Sequence, residues 1–293
     1  MVETALILGG SGFLGAHLVR AWRGAWPAIR CVSAARNPEH GATPGAVVHA
    51  WDALDAGSTE RLFSEFEPGV VISAAALSRV GDCEREPDLA VSLNTELPGR
   101  LARLAEERGV RMLHISTDLV FGGRPAQGER YSEADQPSPL GHYGATKAAG
   151  EEQALAAGAL VVRLPLLFGE SGGAGAGASD GLFAALGRGE RPGLFSDEWR
   201  TPLEVGSAAR ALVELAGGGA QGLLHLAGAV RLSRFELGCR LLRAAGMGDS
   251  ASELRCITRA EAGMATRASD VSLDASRALG LIRSALIGAP VGG

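Results

Sequence analysis

The sequence lacks the cysteine patterns of metal-binding and disulfide-rich proteins. Its 293 residues contain four cysteines, Cys31, Cys83, Cys239 and Cys256, and no two of them are paired at a metal-binding spacing. Neither zinc nor a disulfide framework is therefore indicated. We predict that each cysteine is a small buried or half-buried residue.

Long apolar runs and basic clusters are absent as well. No stretch approaches the roughly 20 apolar residues that a membrane-spanning helix needs, and the first predicted strand begins at Thr4, which leaves no room for a secretory signal. The net charge is -5, and no basic run could follow a phosphate backbone. We expect a cytoplasmic protein that neither crosses a membrane nor binds nucleic acid.

What is present is the composition and rhythm of a globular α/β protein, with 46% hydrophobic and 21% charged residues. Predicted strands lie at Thr4–Leu8, Ile29–Ser33, Ala46–His49, Val70–Ser73, Arg111–Ser116, Ala159–Leu164 and Leu223–Leu226. Predicted helices alternate with them at Gly12–Trp22, Thr59–Glu65, Glu86–Arg108 and Tyr143–Ala156. This alternation predicts a doubly wound parallel sheet with helices on both faces.

The regular alternation of strands and helices ends after Leu166. Shorter helices are predicted at Gly181–Gly187, Ser207–Leu215, Ser233–Ala245 and Ser272–Leu279, with an isolated strand at Arg255–Thr258. We therefore predict a sheet domain at residues 1–165 and a smaller lobe made mainly by residues 166–293. The Gly/Ala stretch from Gly172 to Ser179 is typical of a mobile surface loop, with an ordered lid as the alternative.

A glycine turn follows the first predicted strand directly. The run Gly9-Gly10-Ser11-Gly12-Phe13-Leu14-Gly15 leads into a segment with helical periodicity. Gly9 would allow the tight turn, Gly12 a close approach of the backbone to a pyrophosphate, and Gly15 close packing of helix on strand. The helix N-terminus attracts phosphate charge, so this turn predicts a dinucleotide site.

A second motif supplies groups suited to reducing a carbonyl. Ser116-Thr117-Asp118 ends a predicted strand, and Tyr143 precedes Lys147 by four positions, which places both on one face of a helix. We expect the Lys147 ammonium to lower the Tyr143 pKa and so assist proton transfer. An isolated Tyr-x-x-x-Lys match is more often a surface helix, so this interpretation depends on the glycine turn that accompanies it.

Together these motifs resemble the extended short-chain dehydrogenase/reductase family, within the NAD-dependent epimerase/dehydratase superfamily. Three segments are most similar to its dTDP-4-dehydrorhamnose reductase branch, which reduces the C4 ketone of a nucleotide-linked deoxysugar: Ser116-Thr117-Asp118-Leu119-Val120-Phe121, Arg163-Leu164-Pro165-Leu166-Leu167-Phe168-Gly169 and Asp197-Glu198-Trp199-Arg200-Thr201-Pro202-Leu203. The resemblance implies a Rossmann-type sheet and a discontinuous C-terminal substrate lobe, because residues 201–227 should return in part to the sheet domain.

The resemblance also implies roles for individual residues. Thr117, Tyr143 and Lys147 would be catalytic, with Lys147 also holding the nicotinamide ribose. The cofactor would contact Gly9, Gly12, Phe13, Leu14, Gly15, Ala74, Ala75, Ala76, Asn94, Tyr143, Lys147 and Leu164. The substrate would contact Val120 and Phe121. No metal is implied, and a homodimer is compatible with the sequence.

The end of the second predicted strand favours one cofactor. No acid stands where it would hold an adenosine 2′-hydroxyl, and Arg36 stands there instead. A guanidinium binds a 2′-phosphate with paired hydrogen bonds, so we predict a preference for NADP(H) over NAD(H), with Arg36 as a plain surface residue as the alternative. The resemblance also implies a contact of Asp52 with adenine, and capping of a turn is the alternative.

The sequence therefore predicts an NADPH-dependent reductase of a nucleotide-linked 4-ketosugar. Arg200 is a candidate contact to the substrate phosphate, and a structural salt bridge is an equal alternative. Two other functions stay open. One is a sugar-nucleotide epimerase or dehydratase, which the absence of an acid at Arg36 and of a glutamate near Thr117 disfavours. The other is a non-catalytic, NADP-binding regulatory subunit.

Overall fold

The protein is described here by a computed structural model that covers residues 3–39, 42–123, 129–171, 177–264 and 267–290. The strands are β1 (Thr4–Leu8), β2 (Arg30–Ala35), β3 (Val47–Ala50), β4 (Val70–Ser73), β5 (Arg111–Thr117), β6 (Leu160–Leu164), β7 (Leu167–Phe168), β8 (Gly193–Phe195), β9 (Trp199–Arg200), β10 (Leu203–Glu204), β11 (Leu223–His225), β12 (Leu232–Ser233) and β13 (Arg255–Ile257). The α-helices are α1 (Phe13–Ala25), α2 (Ala56–Phe66), α3 (Val80–Arg85), α4 (Pro87–Val91), α5 (Leu97–Glu107), α6 (His142–Ala156), α7 (Ala178–Gly187), α8 (Val205–Gly217), α9 (Arg234–Ala244) and α10 (Ser276–Leu279).

Seven of these strands form one parallel sheet, in the order β11-β6-β5-β4-β1-β2-β3. The order reverses direction at β1, which is the arrangement of a Rossmann-type doubly wound fold and confirms the predicted class. At such a reversal a crevice opens beyond the carboxyl ends of the strands. The glycine turn after β1 lies there.

The central strand β1 is almost entirely apolar because both faces of the sheet are covered there. All five residues of β1 are buried, and successive side chains point to opposite faces. Ala5 and Ile7 pack in the core that includes α1 and α8, whereas Leu6 and Leu8 pack in the core that includes α2 and α5. A continuous hydrophobic run therefore forms a strand here because it fills two cores at once.

Residues 201–227, which the sequence assigned in part to the sheet domain, supply α8 and β11. Strand β11 pairs in parallel with β6, and α8 packs against α1. The boundaries between sheet domain and lobe drawn at residues 165 and 166 stay a prediction.

The smaller elements after β6 form three two-stranded pairings, β7 with β10, β9 with β12 and β8 with β13. The predicted isolated strand at Arg255–Thr258 is therefore wrong in one respect, because β13 pairs in parallel with β8, a strand the sequence did not reveal. The predicted helix Ser272–Leu279 is also too long. Its helical part is Ser276–Leu279, since Leu273 bridges to Tyr131 and packs in a buried cluster.

The helix predicted at Glu86–Arg108 consists of α4, a π-helical turn at Ser92–Glu96, and α5. Residues 172–176 of the glycine- and alanine-rich stretch lie outside the described residues. Of the cysteines, Cys31 and Cys83 are buried, Cys239 is half-buried, and Cys256 is exposed, contrary to expectation. In the described ranges, no helix combines the length and the hydropathy needed to span a membrane.

Candidate active site

The glycine turn between β1 and α1 forms one end of a large cleft beyond the carboxyl ends of the strands. Gly9 has a φ of +82°, and a Cβ there would lie 2.8 Å from the backbone nitrogen of Ala75. A Cβ on Gly15 would overlap the carbonyl oxygen of Gly9. Helix α1 begins directly after Gly12, so its unpaired backbone N–H groups are available to an anion in the cleft.

The cleft has a volume of about 580 Å³ and is lined by loops that follow β1 to β6. The predicted cofactor residues that line it are Gly9, Gly12, Phe13, Leu14, Gly15, Arg36, Asp52, Ala74, Ala75, Ala76, Tyr143, Lys147 and Leu164. One continuous cavity therefore joins the glycine turn to the Tyr-x-x-x-Lys helix. A dinucleotide needs such a continuous cavity to bring its phosphates to one motif and its nicotinamide to the other.

Asn94 is the predicted cofactor residue that does not line this cleft. It is fully buried in the π-helical turn, where its side chain amide accepts from Leu77 N at 2.9 Å and donates to Leu77 O at 3.1 Å. Its Nδ2 atom also donates to the hydroxyl of Thr146 on α6 at 3.2 Å. Asn94 thus fixes the cleft-lining residue Leu77 and does not itself face the cleft, which corrects the contact expected from the sequence.

The far rim of the cleft carries Arg36, Trp51 and Asp52. Arg36 follows β2 directly and its side chain is exposed, as recognition of a cofactor phosphate requires. Asp52 both lines the cleft and caps a turn, because its Oδ1 accepts from Leu54 N at 3.0 Å. Trp51 is buried in the wall, with its indole N–H donating to Thr59.

Thr117, Tyr143 and Lys147 meet in the same part of the cleft. Thr117 is the last residue of β5, and the other two lie one turn apart on α6. Tyr143 also lines an adjoining pocket of about 170 Å³, to which Arg200 and Arg267 contribute as well. The phenol therefore stands between a cavity large enough for a dinucleotide and a second cavity next to it.

Lys147 is buried beneath the cleft and held at two points. Its Nζ donates to the carbonyl of Ile115 at 2.7 Å and lies 3.1 Å from Nε2 of His114. Burial lowers the pKa of Lys147 to about 8, against the opposing influence of Glu151 and Cys83. At neutral pH the group is still mostly protonated.

The Tyr143 pKa differs from the sequence expectation. Burial raises the pKa of the phenol above its ordinary value, and although the Thr117 side chain lowers it, Asp118 and Cys83 raise it further. The expected lowering by Lys147 is therefore wrong for this structure, because the loss of water around the phenolate dominates and the influence that opposes it comes from Thr117. The phenol keeps its proton at neutral pH and can act as an acid.

Asp118 is a site residue for which the sequence predicted no role, although it belongs to the Ser116-Thr117-Asp118 motif. It is buried, its Oδ1 accepts from the Thr117 hydroxyl at 3.1 Å, and its Oδ2 lies 3.3 Å from Arg200 Nε. Burial raises the pKa of Asp118 to about 6, although Arg200 and Thr117 oppose the shift. Its place beside Thr117 in the Ser-Thr-Asp run was the available signal.

Arg200 is used in the structure as a buried ion-pair partner. Its guanidinium contacts Asp118, donates to Glu198 Oε1 at 3.0 Å and donates to the carbonyl of Trp199 at 2.8 Å. Burial alone would raise the pKa of Glu198, but Arg200 and Arg267 hold it below its ordinary value. The salt-bridge alternative thus describes Arg200, which borders the second pocket but has each guanidinium nitrogen occupied.

One of the two predicted substrate residues lines the second pocket. Val120 is fully buried in a hydrophobic cluster and lines neither the cleft nor this pocket. Phe121 borders the pocket but is also buried, with its ring stacked on Tyr131 at 3.9 Å. The sequence missed the remaining lining residues, Val80, Glu84, Leu119, Leu140, Gly141, Gly144, Arg267 and Ala268. They come from separate segments that no local motif connects.

Comparison with known proteins places this geometry in a family. A family model described as the RmlD substrate binding domain matches residues 3–284. The probable low-salt glycan biosynthesis reductase of Haloferax volcanii is 30% identical over 250 residues, covering 84% of this chain and 81% of that protein. The dTDP-4-dehydrorhamnose reductase of Mycobacterium tuberculosis is 32% identical over 242 residues, covering 80% and 72%. The methionine adenosyltransferase 2 subunit beta of Rattus norvegicus is 30% identical over 282 residues, covering 93% and 80%.

Solved structures support the fold. A dTDP-4-dehydrorhamnose reductase from Bacillus anthracis in complex with NADP matches with a TM-score of 0.83 and 22% identity, covering 98% of this chain and 96% of that one. A dTDP-glucose 4,6-dehydratase from Streptomyces venezuelae with NAD bound matches with a TM-score of 0.81 and 22% identity, covering 97% and 92%. These comparisons confirm the resemblance to the dTDP-4-dehydrorhamnose reductase branch, and since the family model spans nearly the whole sequence, the chain belongs to the RmlD substrate binding domain family.

Proposed function

We propose that this protein is an NADPH-dependent reductase of the C4 ketone of a nucleotide-linked deoxysugar. The observation that carries the proposal is the position of Tyr143, which lines both the dinucleotide-sized cleft and the pocket beside it. A group that transfers a proton to a substrate as hydride arrives from a cofactor has to stand between the two. The reductases of this family support the same assignment.

The cleft has the features that a nicotinamide dinucleotide needs. The glycine turn leaves no room for side chains at Gly9 and Gly15, and the N-terminus of α1 would hold the pyrophosphate. Arg36 would bind the 2′-phosphate of NADPH, which is the basis for preferring it over NADH. When bound, the reduced cofactor supplies a hydride to the carbonyl carbon.

The residues of this chain supply the proton and position the oxygen. The Tyr143 hydroxyl gives its proton to the carbonyl oxygen as hydride adds to the carbon, so that the ketone becomes a secondary alcohol. The Thr117 hydroxyl positions that oxygen, and the Lys147 ammonium stabilises the phenolate left on Tyr143 while holding the cofactor ribose. Because the phenol of Tyr143 keeps its proton at neutral pH, that proton is present when the substrate binds.

The substrate would lie in the pocket between α6 and the smaller lobe. Arg267 borders this pocket with its side chain 40% exposed, whereas the Arg200 side chain is 5% exposed. We therefore transfer the role of phosphate contact from Arg200 to Arg267. Arg200 would instead maintain the charge balance around Asp118 and Glu198.

The assay is direct. Purified protein is mixed with NADPH and a panel of nucleotide-linked 4-ketosugars, and loss of NADPH absorbance and formation of the alcohol are followed. We expect turnover with at least one nucleotide-linked ketone and poor turnover with the free sugar, because binding of the nucleotide helps to position the reacting carbon. Turnover that requires no nucleotide would contradict the substrate assignment.

A regulatory function is the second candidate, and the likeness to methionine adenosyltransferase 2 subunit beta favours it. A regulator would bind NADPH without turnover and would change the kinetics of a partner enzyme. The convergence of Thr117, Tyr143 and Lys147 on one cleft supports the enzyme instead, because a cofactor-binding scaffold has no need of a proton donor. Binding without turnover across the whole panel, with a stable partner enzyme, would overturn the reductase proposal.

A further inference from the structure

A buried histidine lies directly against the proposed catalytic lysine. His114 is on β5, three residues before Thr117, and is completely inaccessible to solvent. Its Nε2 atom lies 3.1 Å from Lys147 Nζ, and its Nδ1 atom has no hydrogen-bond partner among the residues that the structure describes. The function described above assigns no role to this side chain.

The surroundings determine the protonation of the ring. Burial, reinforced by the positive charge of Lys147, lowers the pKa of His114 well below its ordinary value, so the imidazole is neutral. A neutral imidazole has one N–H and one acceptor nitrogen. Since an ammonium can only donate, Nε2 must accept and Nδ1 must carry the hydrogen.

The hydrogen bonds of Lys147 can then be counted. An ammonium has three N–H donors. One is directed to the Ile115 carbonyl at 2.7 Å and a second to His114. The third remains for the cleft, which Lys147 lines. Other titratable groups acting on the ammonium are Glu151 on α6 and Cys83 on α3, and both favour its charged form.

We propose that His114 is a positioning residue that, as the neutral tautomer with hydrogen on Nδ1, accepts one N–H of Lys147 and leaves a single ammonium donor facing the cleft. The inference rests on the proposed function only in assigning that third donor to the cofactor. The proposal gives the buried imidazole a function, because its Nε2 atom fixes the direction in which the Lys147 ammonium donates.

The chain offers an unusually clean test, because Lys147 is its single lysine. Protein grown with lysine labelled with ¹³C and ¹⁵N gives one side-chain signal, whose pH titration reports the protonation of Lys147 alone. Three variants are compared with the unmodified protein: His114→Leu, which removes the acceptor; His114→Gln, whose amide oxygen can reach a similar place; and His49→Gln on β3 as a control.

We expect His114→Leu to lower the titration midpoint of Lys147 by roughly one pH unit or more, because the charged form loses an acceptor. His114→Gln should restore most of the shift, and His49→Gln should leave the midpoint unchanged. An unchanged midpoint in a folded His114→Leu protein would overturn the proposal. A merely structural role would alter stability without this pattern of loss and rescue.

A second measurement determines the tautomer of His114 directly in the unmodified protein. Histidine labelled with ¹⁵N distinguishes the two ring tautomers by chemical shift, and the His114 signals are those missing from the His114→Gln spectrum. We expect hydrogen on Nδ1 and none on Nε2, and the opposite tautomer would overturn the proposal. Both measurements use the protein without substrate, so failure of the reductase assay would leave their outcome unaffected.

Discussion

Tyr143 is one of two tyrosines in the chain, and the other supplies a matched control. Tyr131 is buried with its ring stacked on Phe121 and lines neither cavity. We expect Tyr143→Phe to reduce kcat at least about a hundredfold with little change in NADPH affinity, since a positioned acid contributes on that scale. Tyr131→Phe should retain turnover within a few-fold. Steady-state kinetics of both variants check this, and near-normal turnover in Tyr143→Phe would refute the acid role.

Arg36 allows the cofactor preference to be measured by binding alone. We expect Arg36→Ala to weaken NADPH binding by roughly tenfold to a hundredfold and to leave NADH binding nearly unchanged, because the lost contact is to the 2′-phosphate. Arg30→Ala is the control, since Arg30 is an exposed arginine at the other end of β2. Calorimetric titration of the two cofactors decides the matter. Equal affinities in the unmodified protein would contradict the preference.

Asp118 makes stability depend on pH in a predictable direction. Its pKa is raised from 3.8 to about 6, so the folded chain holds this proton over a range in which the unfolded chain releases it. The free energy of unfolding contributed by this group is therefore fully present below the unfolded pKa and is lost as pH rises to about 6. A shift of about two pH units corresponds to about 3 kcal/mol.

Asp118→Asn removes this titration. Relative to the unmodified protein, we expect the variant to gain about 2 kcal/mol of unfolding free energy between about pH 4 and about pH 7.5, measured by denaturant titration at both values. Glu60→Gln, at an exposed position of α2, is the control and should show no such gain. If the difference in unfolding free energy between Asp118→Asn and the unmodified protein does not change with pH, the titration of Asp118 does not cause the pH dependence of stability.

At the scale of elements, the π-helical turn between α4 and α5 places Asn94 inside the fold. Asn94→Ala would leave the Leu77 N–H without its side-chain partner, whereas the Leu77 carbonyl would keep the Cys83 thiol as a donor. We expect a loss of about 1–3 kcal/mol in unfolding free energy, the cost of one unpaired group, and weaker NADPH binding, because Leu77 lines the cleft. Asn37→Ala is the control, since Asn37 is the other asparagine and is exposed on the cleft rim. An equal effect of the two substitutions would show that the hydrogen bonds between Asn94 and Leu77 do not have this role.

Some strands of the large sheet could be predicted closely because they are short apolar runs bounded by turn residues. β1 and β4 have the predicted bounds. The π-helical turn could not be predicted, since Ser92–Glu96 has the same helical periodicity as its neighbours. β8 was missed for another reason. It is three residues long and is a strand only because β13, distant in sequence, pairs with it.

At the scale of the whole molecule, the sequence predicted the cofactor cleft far better than the substrate pocket. Gly9, Gly12 and Gly15 follow one strand at fixed spacing, so a local motif is enough to place them. The pocket instead combines Glu84, Leu140 and Arg267 from separate segments, and their proximity follows from tertiary packing of segments that are distant in sequence. Arg200 is a second example. Its ion pair with Asp118 could not be predicted, because the two residues are far apart in sequence.

The position of Trp51 gives the protein an optical reporter of its own. The indole is buried in the wall of the cleft beside Asp52, so its surroundings change when a ligand fills that space. Its emission overlaps the absorption of a reduced nicotinamide, and NADPH entering the cleft should quench it. Occupancy of the cleft can then be followed by intrinsic fluorescence, without substrate, label or turnover.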